Sequence, residues 1–384
     1  MEFALDKSRK EIQKAVREFA RGKFDKETIV DLLRSGEFPS QIWKKAAELG
    51  FFGIHFPEAY DGGGMDLLDY ALAAEQMCKQ DSAAGIALML AGFGAECLFR
   101  FETGPPADKY LPLVAAGKMR AAAALFEYSQ GAELSGIQTT AVQDGDAWIL
   151  NGTKVYVPNG ASAGFYVVLC KTGPDAETPK NNLSLIVADT GSQGITAAPA
   201  GPSLGGNLID FAHVTFENVR VPAENRIGKT GAGARQAQCF IDECRIQTAA
   251  MALGTAQGAC DRAVSYTKQR RQFGKKLVDF QVTRHKLADM AARIDAARWT
   301  VYSAAAAFDT NRCDAKTAAQ AKLTATSAAM AAVDEAVQLL GGYGYMTEYE
   351  IEHFYRDAKT LEIFMGPPAA LKDVIAGGLI GRRS

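Results

Sequence analysis

The sequence predicts an α+β protein in three parts: a helical N-terminal domain, a central domain of antiparallel strands, and a C-terminal four-helix bundle. Two observations support this prediction. All thirteen prolines lie at or before Pro222, or at Pro367 and Pro368. An interior proline costs a helix about 3 kcal/mol, so the proline-free residues 223–366 favour long helices. Upstream of this stretch, short runs rich in Val, Ile, Phe and Tyr alternate with turn residues, which is typical of strands.

The N-terminal part contains apolar residues at helical spacing. This spacing predicts helices within residues 11–22, 39–49 and 66–79. The run TGPPADKYLP at 103–112 marks a break in the pattern, and a further short helix is expected after it. We therefore place an all-α domain at residues 1–118.

The central part carries the strand-like runs, which fall at residues 148–160, 164–170, 183–189 and 211–222. Asp-Gly and Asn-Gly pairs between and within them are typical of hairpin turns. Helices do not alternate with these runs, and no G-x-G-x-x-G follows a strand, which excludes a doubly wound dinucleotide-binding fold. The prediction is a β-barrel or sandwich domain at residues 119–228.

The C-terminal part, residues 229–384, is predicted to be a helical bundle. One helical period is especially regular, and its apolar members are Leu287, Met290, Ala291, Ile294 and Ala297. They recur at i, i+3, i+4, i+7 and i+10, which places them on one face of a helix. We expect that face to be buried.

Composition excludes several classes of function. The 42 Lys and Arg residues nearly balance the 44 Asp and Glu residues, and no block of like charge would attract nucleic acid or an anionic membrane. No apolar run reaches the roughly 18 residues of a spanning helix, and the first residues lack the apolar segment of a signal peptide. Seven scattered cysteines without C-x-x-C, and four unpaired histidines, predict reduced thiols, no metal site and a cytoplasmic location.

Four local patterns point to one enzyme family. They are RRQFGKKLVDFQ at 270–281, QLLGGYGY at 338–345, YRDAK at 355–359, and the central pair FEYSQGAELSGI at 126–137 with LNGTKVYVPNG at 150–160. Together they resemble the acyl-CoA dehydrogenase family of FAD enzymes over essentially the whole chain. The resemblance implies an acyl-CoA substrate and a homodimer or homotetramer.

The C-terminal patterns also have a physical interpretation of their own. The guanidinium of Arg270 suits a pyrophosphate, and Phe273, three residues later, is expected on the same helix face. Gly341 and Gly342 allow a backbone to approach a phosphate or ribose closely. The resemblance implies that one set of residues contacts the FAD of the neighbouring subunit: Arg270, Phe273, Gln281, Gln338, Gly341 and Gly342.

The catalytic base of the family is missing from its usual place. The resemblance puts a Glu nine residues after Arg356, where this chain has Met365. A main-chain N–H at Met365 can still bind a thioester oxygen, but a thioether accepts no proton at neutral pH. Some members carry the base directly before the arginine that matches Arg245; Cys244 stands there, and Glu243 one residue earlier is the alternative candidate. Because a helix turns about 100° per residue, Glu243 is expected on another face, where a structural salt bridge is its competing role.

The positions that the family uses for the chain's own flavin are also altered. The resemblance assigns Phe126, Gly131, Tyr156 and Asn159 to this half of the site, but Phe126 and Pro158 replace hydroxyl donors and Tyr156 replaces a tryptophan. A hydrogen bond to a polar cofactor contributes about 1 kcal/mol, so these losses weaken binding. The contacts offered to a neighbour's flavin are kept, whereas those for the chain's own flavin are eroded.

Two functions therefore stay open. The first is an FAD-dependent acyl-CoA dehydrogenase-type oxidoreductase with a relocated base, in which Arg245 and Met89 contact the substrate. The second is a base-deficient partner subunit, which completes a related chain's FAD site in a heterotetramer. A flavin monooxygenase on the same fold is a third possibility, which nothing in the sequence requires.

Overall fold

The computed structural model describes residues 5–101, 104–128, 134, 136–173 and 182–381. Its N-terminal part is helical, and the helices predicted at 11–22, 39–49 and 66–79 overlap α1, α3 and α4. The predicted break is wrong for residues 105–112, which belong to α7, because proline is well tolerated in the first turn of a helix. The helices are α1 (Lys7–Lys23), α2 (Lys26–Ser35), α3 (Ser40–Glu48), α4 (Leu67–Gln80), α5 (Ser82–Met89), α6 (Glu96–Arg100) and α7 (Pro105–Ala115). Asp6 and Asp25 begin α1 and α2 by accepting main-chain N–H groups at 2.8 and 3.0 Å, which is the usual N-cap arrangement.

The central part is a sheet with the strand order β6-β7-β3-β2-β4-β5-β8, to which β1 adds beside β4. The strands are β1 (Ala121–Ala124), β2 (Thr140–Asp144), β3 (Ala147–Pro158), β4 (Phe165–Lys171), β5 (Leu183–Asp189), β6 (Ile195–Pro199), β7 (Phe211–Pro222) and β8 (Arg226–Ile227). Most pairs are antiparallel as predicted. The exceptions are β1 and the first residue of β2, which run parallel to β4. Long connections through other strands permit such parallel pairing.

The C-terminal part is helical, and the fold class is confirmed. Its helices are α8 (Gly233–Gln269), α9 (Gln281–Asp309), α10 (Ala315–Leu340), α11 (Ile351–Ile363) and α12 (Pro368–Ile380). On α9, Met290, Ile294 and Ala297 are buried as expected, but Ala291 is exposed. The face turned to the core is thus narrower than the sequence pattern indicated.

The long helix α8 packs tightly against α4 of the N-terminal part. A Cβ at Gly254 or Gly258 would lie 2.3 Å from the carbonyl oxygens of Glu75 or Lys79. Only glycine permits this approach. The contact brings α8 against the N-terminal core and fixes one wall of the site described below.

Within the described part of the chain, no single helix is long and apolar enough to cross a membrane; α11 and α12 meet that length and composition criterion only as a pair, bent by 42°. The same residues contain no cluster of three His, Cys, Asp or Glu side chains able to hold a metal ion. Five of the seven cysteines are buried.

Candidate active site

The YRDAK motif attaches α11 to the rest of the molecule. Arg356 donates to the side-chain oxygen of Asn207 at 2.5 Å. The carboxylate of Asp357 accepts the main-chain N–H of Gly206 at 2.9 Å and the hydroxyl of Ser82 at 2.7 Å. These contacts fix the helix against the β6–β7 connection and α5. The end of α11, where Met365 follows, is therefore held in place from two sides.

Met365 has an unusual backbone. It is 5% exposed and takes a left-handed conformation with φ +56°. Such a conformation costs a non-glycine residue about 1–3 kcal/mol, so the surroundings must impose it. Among the described residues, its main-chain N–H donates to no acceptor, whereas those of Phe364 and Gly366 donate to Thr360 and Ile363. The turn thus leaves one free donor at the position where the sequence predicts a contact with the thioester oxygen.

Two cations flank this turn. The ammonium of Lys322, on α10, donates to the main-chain oxygens of Glu362 at 3.1 Å and Gly366 at 2.7 Å. A Cβ at Gly366 would lie 3.9 Å from Nη2 of Arg245. Burial and the positive charge of Arg245 lower the pKa of Lys322 to about 7. Arg245 lies beside the turn, and its buried Nε has no partner among the described residues. Its contact with the substrate stays a prediction.

The carboxylate of Asp242 forms an ion pair with Arg245. It accepts Nη1 of Arg245 at 2.8 Å and Nε2 of Gln238 at 3.0 Å. Burial raises the pKa of Asp242 to about 6, although Arg245 opposes the rise. A carboxylate with such a pKa can exchange a proton near neutral pH.

Glu243, the alternative base proposed from the sequence, lies in a different environment. Its side chain is 0% exposed, and both oxygens accept from Arg100: Oε1 from Nη2 at 2.7 Å and Oε2 from Nε at 3.2 Å. Arg100 belongs to α6, so the carboxylate faces the N-terminal helices, and burial raises its pKa. This geometry favours the structural ion pair; a role as base stays an untested prediction.

We expect Glu243→Gln to lower the free energy of unfolding by about 1–3 kcal/mol, because the fully buried carboxylate that accepts from two nitrogens of Arg100 is replaced by an amide with a single acceptor oxygen. Turnover by the folded protein should stay within a factor of two of the parent. Chemical denaturation and steady-state kinetics at the same temperature measure both. Conversely, an undiminished stability together with a rate loss of about 10²–10⁴ would identify Glu243 as the base.

An aromatic cluster adjoins Met365. Phe93 packs with ring centroids 5.5 Å from Phe364 and 5.3 Å from Phe240. Met89, the predicted substrate contact, is buried on α5, and its carbonyl accepts the hydroxyl of Tyr70 at 3.0 Å. These side chains would form one wall of an acyl chamber next to the free N–H of Met365.

The residues predicted to hold the chain's own flavin lie on the central domain. Phe126 is half-buried, and Tyr156 is 59% exposed with φ +51°, its ring edge-on to His213 at 5.0 Å. Both amide hydrogens of Asn159 are taken by the carbonyls of Leu90 and Ala121, at 2.7 and 3.0 Å, so this side chain joins α5 to β1. The predicted contact of Asn159 with the cofactor would therefore have to use atoms other than this NH₂ group, and it stays a prediction. Gly131 lies outside the described residues.

Four of the six residues predicted to serve a neighbour's flavin come together on the C-terminal domain. A cavity of about 430 Å³ is lined by Arg270, Gln338, Gly341 and Gly342. A Cβ at either glycine would meet nothing within 4 Å, which leaves the backbone open to a ligand. Gln281, at the start of α9, is exposed.

The prediction that Arg270 and Phe273 share one face of a helix is wrong. Helix α8 ends at Gln269, and β9 (Arg271–Gln272) pairs with β10 (Lys275–Lys276). Phe273 and Gly274 form the turn with φ of +51° and +80°. Positive φ at both central residues is typical of a two-residue hairpin, which carries Phe273 out to 91% exposure.

The sequence analysis missed Lys322 and the Asp242–Arg245 contact. Lys322 lies in the alanine-rich buried face of α10, between Ala318 and Ala325. A lysine within an otherwise apolar helical face is a detectable signal, because an unpaired buried ammonium is costly. Its acceptors, the main-chain carbonyls of Glu362 near the end of α11 and of Gly366 in the turn that follows, are not visible in a sequence.

Known proteins and family models match almost the whole chain. Family models match the acyl-CoA dehydrogenase N-terminal domain over residues 6–118, middle domain over 122–219 and C-terminal domain over 231–380. The chain is similar to the probable acyl-CoA dehydrogenase YngJ of Bacillus subtilis, with 38% identity over 99% of this chain and 100% of the relative. It is also similar to the caffeyl-CoA reductase-Etf complex subunit CarC of Acetobacterium woodii, with 34% identity over 97% and 98%. The structure of butyryl-CoA dehydrogenase from Megasphaera elsdenii superposes with a TM-score of 0.93 at 34% identity, covering 99% of this chain and 100% of that one.

Proposed function

The chain belongs to the acyl-CoA dehydrogenase family of FAD-dependent oxidoreductases, and from this premise we propose that it oxidises or reduces a CoA thioester without a base at position 365. The observation that supports the proposal is the turn at Met365. Its left-handed backbone and free N–H are kept although the carboxylate is absent. A strained turn that still presents its donor is suited to bind a thioester oxygen.

The residues present fit FAD on the C-terminal side. Arg270, Gln338, Gly341 and Gly342 would hold part of a neighbouring chain's cofactor, since their cavity combines a guanidinium with open glycine backbone. When bound, FAD supplies the acceptor or donor of a hydride. On this chain, Met365 N–H holds the thioester oxygen, Arg245 lies beside the same turn, and Phe93 and Phe364 exclude water from the chamber.

A relocated base is part of this proposal. Asp242 is favoured over Glu243 because its pKa is about 6 and it contacts Arg245, whereas both oxygens of Glu243 are held by Arg100. Glu362, another carboxylate near the turn, is paired with Lys359. We further infer action in the cytoplasm, from the scattered and mostly buried thiols.

A second candidate function is supported by the imbalance between the two half-sites. Phe126 and Pro158 offer no hydroxyl, and the amide hydrogens of Asn159 are occupied, while the cavity at Arg270 is intact. A chain with this pattern suits the role of a partner subunit in a hetero-oligomer. It would complete a related chain's FAD site and lack a full site of its own.

Expression of the chain alone distinguishes the two functions. We expect a yellow protein with about one FAD per chain, whose absorbance bleaches when an acyl-CoA is added anaerobically. Arg270→Ala should reduce the FAD content, and Arg271→Ala, in the adjacent exposed hairpin, is the matched control. A colourless chain that acquires FAD only when co-expressed with a related family member would contradict the first function, an enzyme active alone. It would support the second, a partner subunit.

A further inference from the structure

A cavity of about 610 Å³ opens between the N-terminal helices and the first turns of α8. The start of α4, the end of α6, the β8–α8 connection and the end of α9 form its wall. Its volume lies in the range of about 300–1,000 Å³ that is usual for small-molecule sites. Met365, Arg245 and Lys322 do not line it, and the function proposed above makes no use of it.

Three cationic side chains that line this cavity have donors to spare. Lys229 precedes α8 and Arg235 lies in its first turn, and neither forms an ion pair with another described residue. Arg100 uses Nε and Nη2 for Glu243, which leaves Nη1 without a hydrogen-bond partner in the described part of the chain. Such a group of donors attracts an anion.

Two carboxylates also line the cavity, but both have partners of their own. Asp66 pairs with the guanidinium of Arg9 at 3.0 Å. Asp309 accepts the main-chain N–H groups of Leu67 and Leu68, at 2.8 and 3.2 Å, and so caps the start of α4. Their negative charge is therefore offset locally, whereas the positive charge of Lys229 and Arg235 is not.

The start of α8 adds to the positive potential. No side chain caps this helix of 37 residues, and Ala232, directly before it, lines the cavity. The main-chain N–H groups of Gly233, Ala234 and Arg235 donate to no other described residue. Free N–H groups at a helix N-terminus carry partial positive charge and commonly bind phosphate.

Gln236 provides an independent indication of a ligand. The residue is 3% exposed and lines the cavity; its Nε2 donates to the carbonyl of Ile227 at 3.1 Å, and its buried Oε1 has no partner among the described residues. A Cβ at Gly228 would lie 2.6 Å from Nε2, so the loop before α8 fits closely over this amide. Because a buried oxygen without a donor is costly, the wall favours a ligand that donates a hydrogen bond there.

The rest of the wall is largely apolar. Met65, Leu67, Phe101 and Phe308 contribute to it, and Met65 is 41% exposed. The ring centroid of Phe308 lies 5.2 Å from Cζ of Arg100, which holds a guanidinium over the ring. Flat apolar side chains beside cations suit a planar ring that is joined to an anionic group.

We propose that this cavity, between α4, α6 and the start of α8, binds a phosphorylated nucleoside. The phosphate contacts Lys229, Arg235 and the first turn of α8. The base lies against Phe101 and Phe308, and its amino group or a ribose hydroxyl donates to Gln236. The inference is independent of the proposed function, because it needs no chemistry at Met365.

Other ligands use less of the cavity. Inorganic phosphate leaves the apolar wall and Gln236 without partners, and a sugar phosphate leaves the rings of Phe101 and Phe308 uncovered. A fatty acid offers no donor to Gln236. A cation is repelled by Lys229 and Arg235.

Two sources supply this chemistry: a free nucleotide, and the nucleotide end of a CoA thioester. Arg235 precedes Asp242, which pairs with Arg245 beside the Met365 turn, by seven residues. At 1.5 Å per residue this is about 10 Å along α8. The experiment therefore has to separate the two sources.

Calorimetry on the protein as purified measures binding of ADP, adenosine 3′,5′-bisphosphate, ribose 5-phosphate and inorganic phosphate. We expect one of the nucleotides to bind at least tenfold more tightly than either smaller phosphate. Arg235→Ala should weaken this binding about tenfold, because a charge-assisted hydrogen bond is lost from an exposed residue that folding does not require. Gln236→Leu should weaken it as well. Arg21→Ala, at an exposed arginine of α1, is the matched control and should bind like the parent.

A second titration, with saturating acyl-CoA present, identifies the source. If acyl-CoA abolishes nucleotide binding, and Arg235→Ala weakens CoA thioesters but not pantetheine thioesters, the site holds the nucleotide end of CoA. If both ligands bind together, the site holds a free nucleotide. The inference is overturned if neither nucleotide binds, if inorganic phosphate binds as tightly, or if Arg235→Ala leaves the affinity unchanged.

Discussion

Replacing Met365 with glutamate is expected to raise the rate of α,β-dehydrogenation of a saturated acyl-CoA by about 10²–10⁴-fold, the usual contribution of a positioned general base. The backbone needed for that role is in place, because Met365 already adopts the left-handed turn beside the chamber. Arg245 and Lys322 lie next to the turn, and their positive charge would favour the ionised carboxylate. Anaerobic bleaching of the flavin by butyryl-CoA or octanoyl-CoA measures the rate.

Met365→Gln is the matched control, since it has the size and polarity of glutamate but accepts no proton at neutral pH. It should remain as slow as the parent. If Met365→Glu and Met365→Gln are equally slow although both bind FAD, the turn does not bring residue 365 to the α-carbon. In that case the reaction of this chain differs from simple α,β-dehydrogenation.

Removing the ammonium of Lys322 is expected to have the second largest effect. In Lys322→Met the carbonyls of Glu362 and Gly366 lose their donor, and the turn between them is free to shift. A displacement of about 1 Å at a reacting centre can cost roughly 10²-fold in rate. We expect kcat/KM to fall by about that factor, with the greater part of the loss in kcat.

The pH dependence of stability identifies the lysine independently. Its pKa is lowered to about 7 in the folded protein, against 10.5 in the unfolded chain. Between these values the unfolded state binds more protons, so the contribution of Lys322 to the free energy of unfolding increases as the pH rises from about 7 to 10. Denaturant midpoints measured over this window should lose that increase in Lys322→Met. The burial of Lys322 would be contradicted if the stability of the parent protein stayed flat or fell between pH 7 and 10 and Lys322→Met behaved in the same way.

Much of the fold could be predicted from local pattern. The apolar runs predicted at 164–170, 183–189 and 211–222 form strands because β-branched and aromatic residues fit a pleated, half-buried surface. The absence of proline between Pro222 and Pro367 predicted the long helices. The hairpin at Phe273–Gly274 was interpreted as helix, since the three-residue spacing from Arg270 fits a helix face. There the turn chemistry of the Phe-Gly pair outweighed the spacing.

The candidate site was predictable only in part. Counting from Arg356 located Met365, because a motif fixes position along the chain. Which carboxylate approaches Arg245 could not be read in this way: Asp242 and Glu243 are neighbours in sequence, yet they contact different arginines, Arg245 and Arg100. The pairing depends on how α6 and α8 pack, and no local pattern encodes that packing.

The exposed ring of Phe273 has a consequence for the protein in solution. At 91% exposure, beside an open cavity, it is a large apolar surface that water solvates poorly. If a second chain covers it, part of the folding free energy resides in association and depends on protein concentration by mass action. We then expect the melting temperature to fall on serial dilution and the activity per chain to fall with it. Measurements on this protein should therefore state the concentration at which they were made.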